Sequence, residues 1–337
     1  MFLYKSIILI FLTNAWIIFA FLYKEKITRL LGIYDKPDSF RKIHEKPISK
    51  IGGLIIFFTI VLNIVLFPKV YPYENNLNIN YISVLFVTYF FLIGLLDDIY
   101  SIKPYFITVL IIIGSIIFLN LDSDLVIKKL TFYEISKKNL ELKSLSFIFT
   151  IFSIYIFYNS VNFSDGANGI LASLSIFWLA SLFFINLKFI YFITPIIFCL
   201  ILLLLANLKN KLFFGNSGSS TLSAFIALIY IKTYNNNYTL LTPEIIFLLF
   251  LLPGLDCVMV TVKRLINKKN PLKPDNSHFH HNLINLTHKK YVWVIYILIA
   301  SLPVILFISI KNYFLTLGIF ISVYIFFHIL FKKIKKN

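Results

Sequence analysis

The chain has 337 residues, of which 59% are hydrophobic and only 14% charged, and its mean hydropathy is +0.84. That balance excludes a soluble globule, and with no soluble domain to carry the net charge of +17, nucleic acid is excluded as a partner too. Both cysteines, Cys199 and Cys257, sit within or at the end of apolar runs and give no sign of a disulfide framework.

Eleven apolar runs of roughly 17 to 22 residues, long enough for about 30 Å of hydrocarbon, begin near residues 4, 51, 81, 105, 144, 170, 189, 220, 244, 291 and 313. They predict an all-α, polytopic membrane bundle in one domain spanning residues 1–337. The first run is followed by its main basic cluster, from Lys24, and lacks a small-residue cleavage site, so it reads as a retained anchor. With the N-terminus outside, the inner segments hold 22 of the 32 Lys and Arg residues. The expected orientation therefore places the N-terminus outside and the C-terminus in the cytoplasm. Loop 122–143 dissents: it carries Lys128, Lys129, Lys137, Lys138 and Lys143, partly offset by Asp122, Asp124, Glu134 and Glu141. A basic cytoplasmic skin is explained first by topology and anionic lipids, and it also favours a polyanionic substrate.

Taken in chain order, Arg41, His44, Pro47 and Lys50 lead into Gly52-Gly53 at the start of the second run. A basic cluster and a glycine pair at a helix start can hold an anion through backbone N–H groups and the helix dipole, and they also suit a positive-inside signal with a hinge. Asp97-Asp98 closes the third run. Adjacent carboxylates at a helix C-terminus are electrostatically awkward and call for an offsetting cation, and one of the two could act as a base; solvated surface charge is the plainer reading. Their place at the inner boundary counts against a transporter, whose coupling carboxylate belongs near the midplane.

Asn159, Asn162 and Asp165 recur every third residue and share one face if the fifth helix continues through them, which suits a hydrated metal or a phosphate. The bland alternative is a polar exit from the bilayer punctuated by Gly166 and Gly169. Gly215-Asn216-Ser217-Gly218-Ser219-Ser220 opens the eighth run, so glycine loops precede the second, sixth and eighth runs on one side. Three converging helix N-termini would make a phosphate-attracting floor. Asp256 lies near the inner end of the ninth run, where an acid is costly unless paired or hydrated. His278, His280 and His281 could ligate zinc, although no cysteine lies nearby, or could bond phosphate or act as acids. His44 and His288 taken singly read as surface residues, and His328 as a packed or snorkelling side chain.

Together, Arg41/His44/Pro47/Gly52-Gly53, Asp97-Asp98, Asn159-x-x-Asn162-x-x-Asp165-Gly166, Gly215-x-x-Gly218-Ser219 and Pro271-x-x-Pro274-Asp275-x-x-His278-x-His280-His281 resemble the polyprenyl-phosphate N-acetylhexosamine-1-phosphate transferases. The likeness is to the bacterial branch of glycosyltransferase family 4 that starts O-antigen, enterobacterial common antigen and wall polymers. It covers roughly residues 5 to 330, with the motifs in the same order. The resemblance implies transfer of a sugar 1-phosphate from a UDP-N-acetylhexosamine to undecaprenyl phosphate, with UMP released and Mg²⁺ or Mn²⁺ required. It also implies a bacterial inner-membrane protein whose site faces the cytoplasm, with membrane lipids as partners and a homodimer as the candidate assembly.

Residue by residue, the resemblance has Asp97 and Asp98 bind or deprotonate the lipid phosphate, Asn162 contact the metal and Asp165 organise the nucleotide site. His278, His280 and His281 would hold substrate phosphates, with Arg41, His44, Asn159, Asn168 and Asp256 as further substrate-binding candidates. Three positions depart from the family pattern. Asn216 stands where a metal-binding Asp is usual; an amide oxygen coordinates Mg²⁺ without bringing charge, which weakens the site or points to an inactive homologue that only binds lipid phosphate or partner proteins. Asn168 replaces a frequent Asp, and Ile107 a basic residue. A transporter is the other alternative, and the near absence of polar groups in the fourth, tenth and eleventh runs weighs against it.

Overall fold

The computed structural model describes residues 2–35, 47–71, 78–133, 135, 138–185, 189–238, 241–268, 270 and 278–334. Arg41, His44, Pro271, Pro274 and Asp275 lie outside the described residues. The helices are α1 (Phe2–Leu22), α2 (Lys24–Leu31), α3 (Gly52–Val70), α4 (Tyr81–Tyr100), α5 (Pro104–Leu121), α6 (Ser146–Ser164), α7 (Ile170–Ile185), α8 (Phe189–Leu208), α9 (Gly215–Asn236), α10 (Pro243–Ile266), α11 (Phe279–Ile284), α12 (Val292–Ile310) and α13 (Tyr313–Ile334). Two antiparallel ladders accompany them: β1 (Tyr34–Asp35) pairs with β2 (Ile48–Ser49), and β3 (Lys129–Thr131) with β4 (Asn139–Glu141).

Each apolar run read from the sequence coincides with a helix, and the chain is an all-α polytopic membrane protein. Among the described residues nine helices are long and apolar enough to cross a bilayer. Neither α7 nor α9 is among them: α7 is apolar but short, whereas α9 is long but opens with Gly-Asn-Ser-Gly-Ser-Ser-Thr. Two segments read as loops contain short helices. In one, α2 ends at Gly32 in the left-handed region, a common helix stop. In the other, α11 carries the histidines.

The polar opening of α9 is explained by its position, for it runs through the middle of the bundle with α3, α4 and α6 packed on it. Every residue from Ser217 to Tyr234 is buried. Helices in lipid gain no hydrophobic drive from meeting each other, so close approach of small residues holds them together. At the α3–α9 crossing a Cβ on Gly53 would fall 2.5 Å from Gly218 N and 2.7 Å from Phe214 O, both backbone atoms that cannot swing aside. On the opposite flank, Pro195 interrupts the ladder of α8. Two buried amides enter there: Asn14 Nδ2 donates to Pro195 O at 3.2 Å and Asn63 Nδ2 to Phe192 O at 2.8 Å.

The far end of α9 is pinned by charge. Lys232 is 1% exposed, and its Nζ donates to Asp122 Oδ2 at 2.7 Å and to Asn78 O at 2.8 Å. Removing one partner of a buried pair strands the other charge, so Lys232→Met should lower the unfolding free energy by about 3–5 kcal/mol. Lys232→Met/Asp122→Asn should recover part of that loss, as read by thermal unfolding in detergent.

Candidate active site

The site begins where the end of α4 meets the start of α9. Asp98 is disfavoured by the dipole of its own helix, but its carboxylate lies against the N-terminus of α9, whose first N–H groups lack helical partners and whose dipole favours an anion. Asp98 Oδ1 accepts from Asn216 N at 3.0 Å and Oδ2 from Ser217 N at 2.9 Å. Lys50 Nζ adds a third donor at 3.1 Å from Oδ1. Gly215 makes the approach possible: its φ is +67°, and a Cβ there would stand 2.6 Å from Asp98 Oδ2. The offset that the carboxylate pair required is thus a helix terminus and a lysine.

Asp97 is held more lightly and is half-buried. Its Oδ1 accepts from Ile102 N at 2.7 Å, and its Oδ2 from Asn216 Nδ2 at 2.6 Å. Lys50 follows β2, whose pairing with β1 also brings Asp35 to 3.7 Å from Lys50 Nζ. Burial works against the charge on Lys50, but the carboxylates of Asp98, Asp35 and Asp97 together outweigh it and hold the ammonium above its usual range.

The end of α6 forms the second wall. Tyr158 OH lies 2.8 Å from Ser220 Oγ of α9, and the end of α6 that carries Asn162 packs along α9. Because α6 ends at Ser164, Asp165 occupies the C-cap and not the helical face that its spacing suggested. Burial pushes the Asp165 carboxyl well above the ordinary carboxylate range; the charge of Asp98 adds to the shift and Lys50 opposes it. Asn159 turns back on its own helix, donating to Tyr155 O at 2.8 Å. Asn168 bonds Asn210 Oδ1 at 2.7 Å, tying its loop to the turn after α8.

The third wall carries the histidines. Asp256 Oδ1 accepts from Phe279 N at 2.9 Å and its Oδ2 lies 3.0 Å from His278 Nδ1, so the costly acid in α10 fixes the start of α11. His280 is 1% exposed, neither ring nitrogen has a hydrogen-bond partner among the described residues, and the ring touches Gly166 in the turn after α6. It lies parallel to His278, with centroids 5.8 Å apart, and 4.2 Å from His281. Burial lowers the His280 pKa well below the ordinary imidazole value, and the neighbouring His281 and His278 lower it further.

The expected floor of open helix N-termini is differently used. Asn216 N and Ser217 N serve Asp98, Gly52 N donates to Phe213 O at 3.0 Å, and Gly169 N donates to Asn207 Oδ1 at 2.7 Å. Protein acceptors therefore take these donors, as burial of the helix starts demands. Sequence reasoning missed Lys50, Asp35 and Tyr158 as site residues. Lys50, two residues before the glycine pair, carried a weak signal; a tyrosine inside an apolar run carried none.

Among the described residues no three His, Cys, Asp or Glu side chains gather as a metal-binding group. The oxygens near Asp97 are of another kind: its carboxylate and the amide oxygens of Asn162 and Asn216. That hard set fits Mg²⁺ or Mn²⁺, which take one or two carboxylates and complete their shell with water and substrate phosphates. Asn216 also keeps its amide oxygen available, because the bond to Asp97 uses Nδ2.

Residues 80–234 match the model of glycosyl transferase family 4. The chain is 28% identical over 287 residues, 81% of its length and 76% of the relative's, to the "Probable undecaprenyl-phosphate N-acetylglucosaminyl 1-phosphate transferase" of Bacillus subtilis (strain 168). It is 28% identical to the undecaprenyl-phosphate alpha-N-acetylglucosaminyl 1-phosphate transferase of Thermotoga maritima, over 83% of this chain and 79% of that one. The protein of the same description from Escherichia coli (strain K12) is 25% identical over 82% of this chain and 75% of its own.

A pH effect follows from His280. Its folded pKa lies below the unfolded value of about 6.5, so below that pH the unfolded chain binds a proton that the folded chain refuses. The stability this burial contributes is complete above about pH 6.5 and is lost as pH falls further. The unfolding temperature should therefore drop more between about pH 7.5 and 5.5 for the unaltered chain than for His280→Gln.

Proposed function

We propose, from the match of residues 80–234 to the model of glycosyl transferase family 4, that the chain is a member of that family and transfers N-acetylhexosamine 1-phosphate from a UDP-sugar to undecaprenyl phosphate, releasing UMP. The observation that carries this reading is that Asn216 at the start of α9 bonds Asp97, while the end of α6 meets both α9, through Tyr158 and Ser220, and the histidine helix α11, through Phe163 and His278. We read that end as facing the cytoplasm of a bacterial inner membrane, where the soluble donor is available. Basic residues crowd the same side.

The two carboxylates have separate work. Asp98 has three donors on its oxygens and almost no exposed surface, so it acts as a positioning residue that fixes the start of α9. Asp97, the less buried of the two, is the base: it takes the last proton from undecaprenyl phosphate, whose oxygen then attacks the β-phosphorus in line. The bond from that phosphorus to the bridging oxygen breaks, and UMP leaves with the electron pair. Asp97, Asn162 and Asn216 would hold Mg²⁺ or Mn²⁺, which when bound would neutralise charge on the diphosphate. His280, kept neutral by burial, meets a phosphate oxygen as a hydrogen-bond donor and not as a cation. Asp256 orients it by fixing His278 and the first turn of α11.

A second reading rests on Asn216. Because its amide already satisfies Asp97, the pocket carries one carboxylate fewer than a family site with Asp at that position, and a chain that binds lipid phosphate without turnover would look the same. Purified protein given UDP-N-acetylglucosamine, undecaprenyl phosphate and Mg²⁺ should release UMP only when the lipid is present. Activity confined to Asn216→Asp would favour the binding reading, and UMP release before lipid is added would sink direct attack. Asp97→Asn should cut turnover by at least about 100-fold. Asp98→Asn should lose turnover and also stability, because its charge-assisted hydrogen bonds are worth roughly 1.5–3 kcal/mol each.

A further inference from the structure

The basic loop that dissents from the charge pattern folds into the β3–β4 hairpin at the other end of α9. It is fastened to the bundle by its backbone. Thr131 N donates to Tyr234 OH at 3.0 Å, Tyr234 OH donates to Lys129 O at 2.8 Å, and Glu244 Oε1 accepts from Tyr133 N at 2.9 Å. Beneath the hairpin, between α6, α9 and α10, is a cavity of about 400 Å³ walled by apolar side chains such as Leu130, Phe157, Ile231 and Phe250. Ile135 and Phe247 also line it and are 42% and 51% exposed, so it opens sideways where lipid would lie.

The surface around this cavity has the make-up of a membrane interface. Lys128, Lys138 and Lys143 are exposed on the hairpin and its flanks, interleaved with Tyr133, Leu140 and Leu145, which are 47%, 54% and 59% exposed. Cationic heads beside amphipathic and apolar side chains favour the headgroup region over an anionic lipid surface. Lys129 is used otherwise, its Nζ resting 4.1 Å from the Tyr238 ring centroid.

We propose that the cavity holds one hydrocarbon chain of an anionic phospholipid from the surrounding bilayer, with the phosphate headgroup outside it against Lys128, Lys138 and Lys143. The apolar wall suits a tail. The one carboxylate on the wall, Glu244, repels an anion from the interior and leaves the headgroup to the lysines. Along α9 the step from Asn216 to Tyr234 is roughly 27 Å at about 1.5 Å per residue. A lipid whose phosphate sits at the hairpin is therefore not the one whose phosphate reaches Asp97, and the site is distinct from that of the polyprenyl acceptor.

Native mass spectrometry of the full chain, stripped of lipid and titrated separately with phosphatidylglycerol and phosphatidylcholine, tests this. One phosphatidylglycerol should be retained, about tenfold more tightly than phosphatidylcholine, and added undecaprenyl phosphate should not displace it. Substituting Lys128→Gln, Lys138→Gln and Lys143→Gln together should bring the two lipids level, and Ala227→Phe, which fills the cavity, should abolish retention of both. Equal retention by the unaltered chain, a preference that survives the three glutamines, or displacement by undecaprenyl phosphate would overturn the proposal. The glutamine variant changes exposed positions alone, so its result stands even if Ala227→Phe fails to fold.

Discussion

The contact on which the site depends is the seating of Asp98 against the first turn of α9. It solves two problems of burial at once. An acid at the end of α4 lacks a counter-charge, and a helix start in the middle of a membrane bundle lacks acceptors for its N–H groups. Each supplies what the other needs, and Lys50 completes the neutralisation. The neighbouring residues inherit their positions from this contact: Asn216 is the first residue past Gly215 and so reaches Asp97, while Ser220, one turn further along α9, meets Tyr158 of α6.

The architecture around α9 follows from the same economy of polar groups. A helix of small and polar residues would be unstable facing lipid, but surrounded by α3, α4 and α6 it lets backbones approach closely and carries hydrogen bonds across its whole length. Its two ends are then chemically different. One end carries the Asp97 and Asp98 carboxylates and the amide of Asn216; the other is sealed by the Lys232–Asp122 pair and roofed by a hairpin over an apolar cavity. A single rigid element thereby separates chemistry from lipid contact.

Much of this was legible in the chain itself. Long apolar runs announced the helices because lipid leaves the backbone few other choices, and the Asp97-Asp98 and Gly215-Asn216 motifs marked residues that bond each other. What stayed hidden was which partner each group would find. Three helix starts read as open phosphate floors donate to Asp98, Phe213 and Asn207, and no local pattern in the sequence names a partner that lies tens of residues away or more. Asp165 illustrates a different limit: spacing placed it on the face of Asn162, but the helix stops one residue earlier. Lys50 escaped notice as a site residue because a lysine in a basic loop looks like topology, and only the β1–β2 pairing turns it inward.

The central claim is that carboxylate, amide and histidine groups from α4, α6, α9 and α11 face one diphosphate. A cryo-electron microscopy map of the chain bound to UDP-N-acetylglucosamine and Mg²⁺ tests it most directly. The account predicts diphosphate density between Asp97 and His280, with the metal against Asp97 and Asn216. Diphosphate density at the hairpin end of α9, or density in contact with the histidines but out of reach of Asp97, would contradict it.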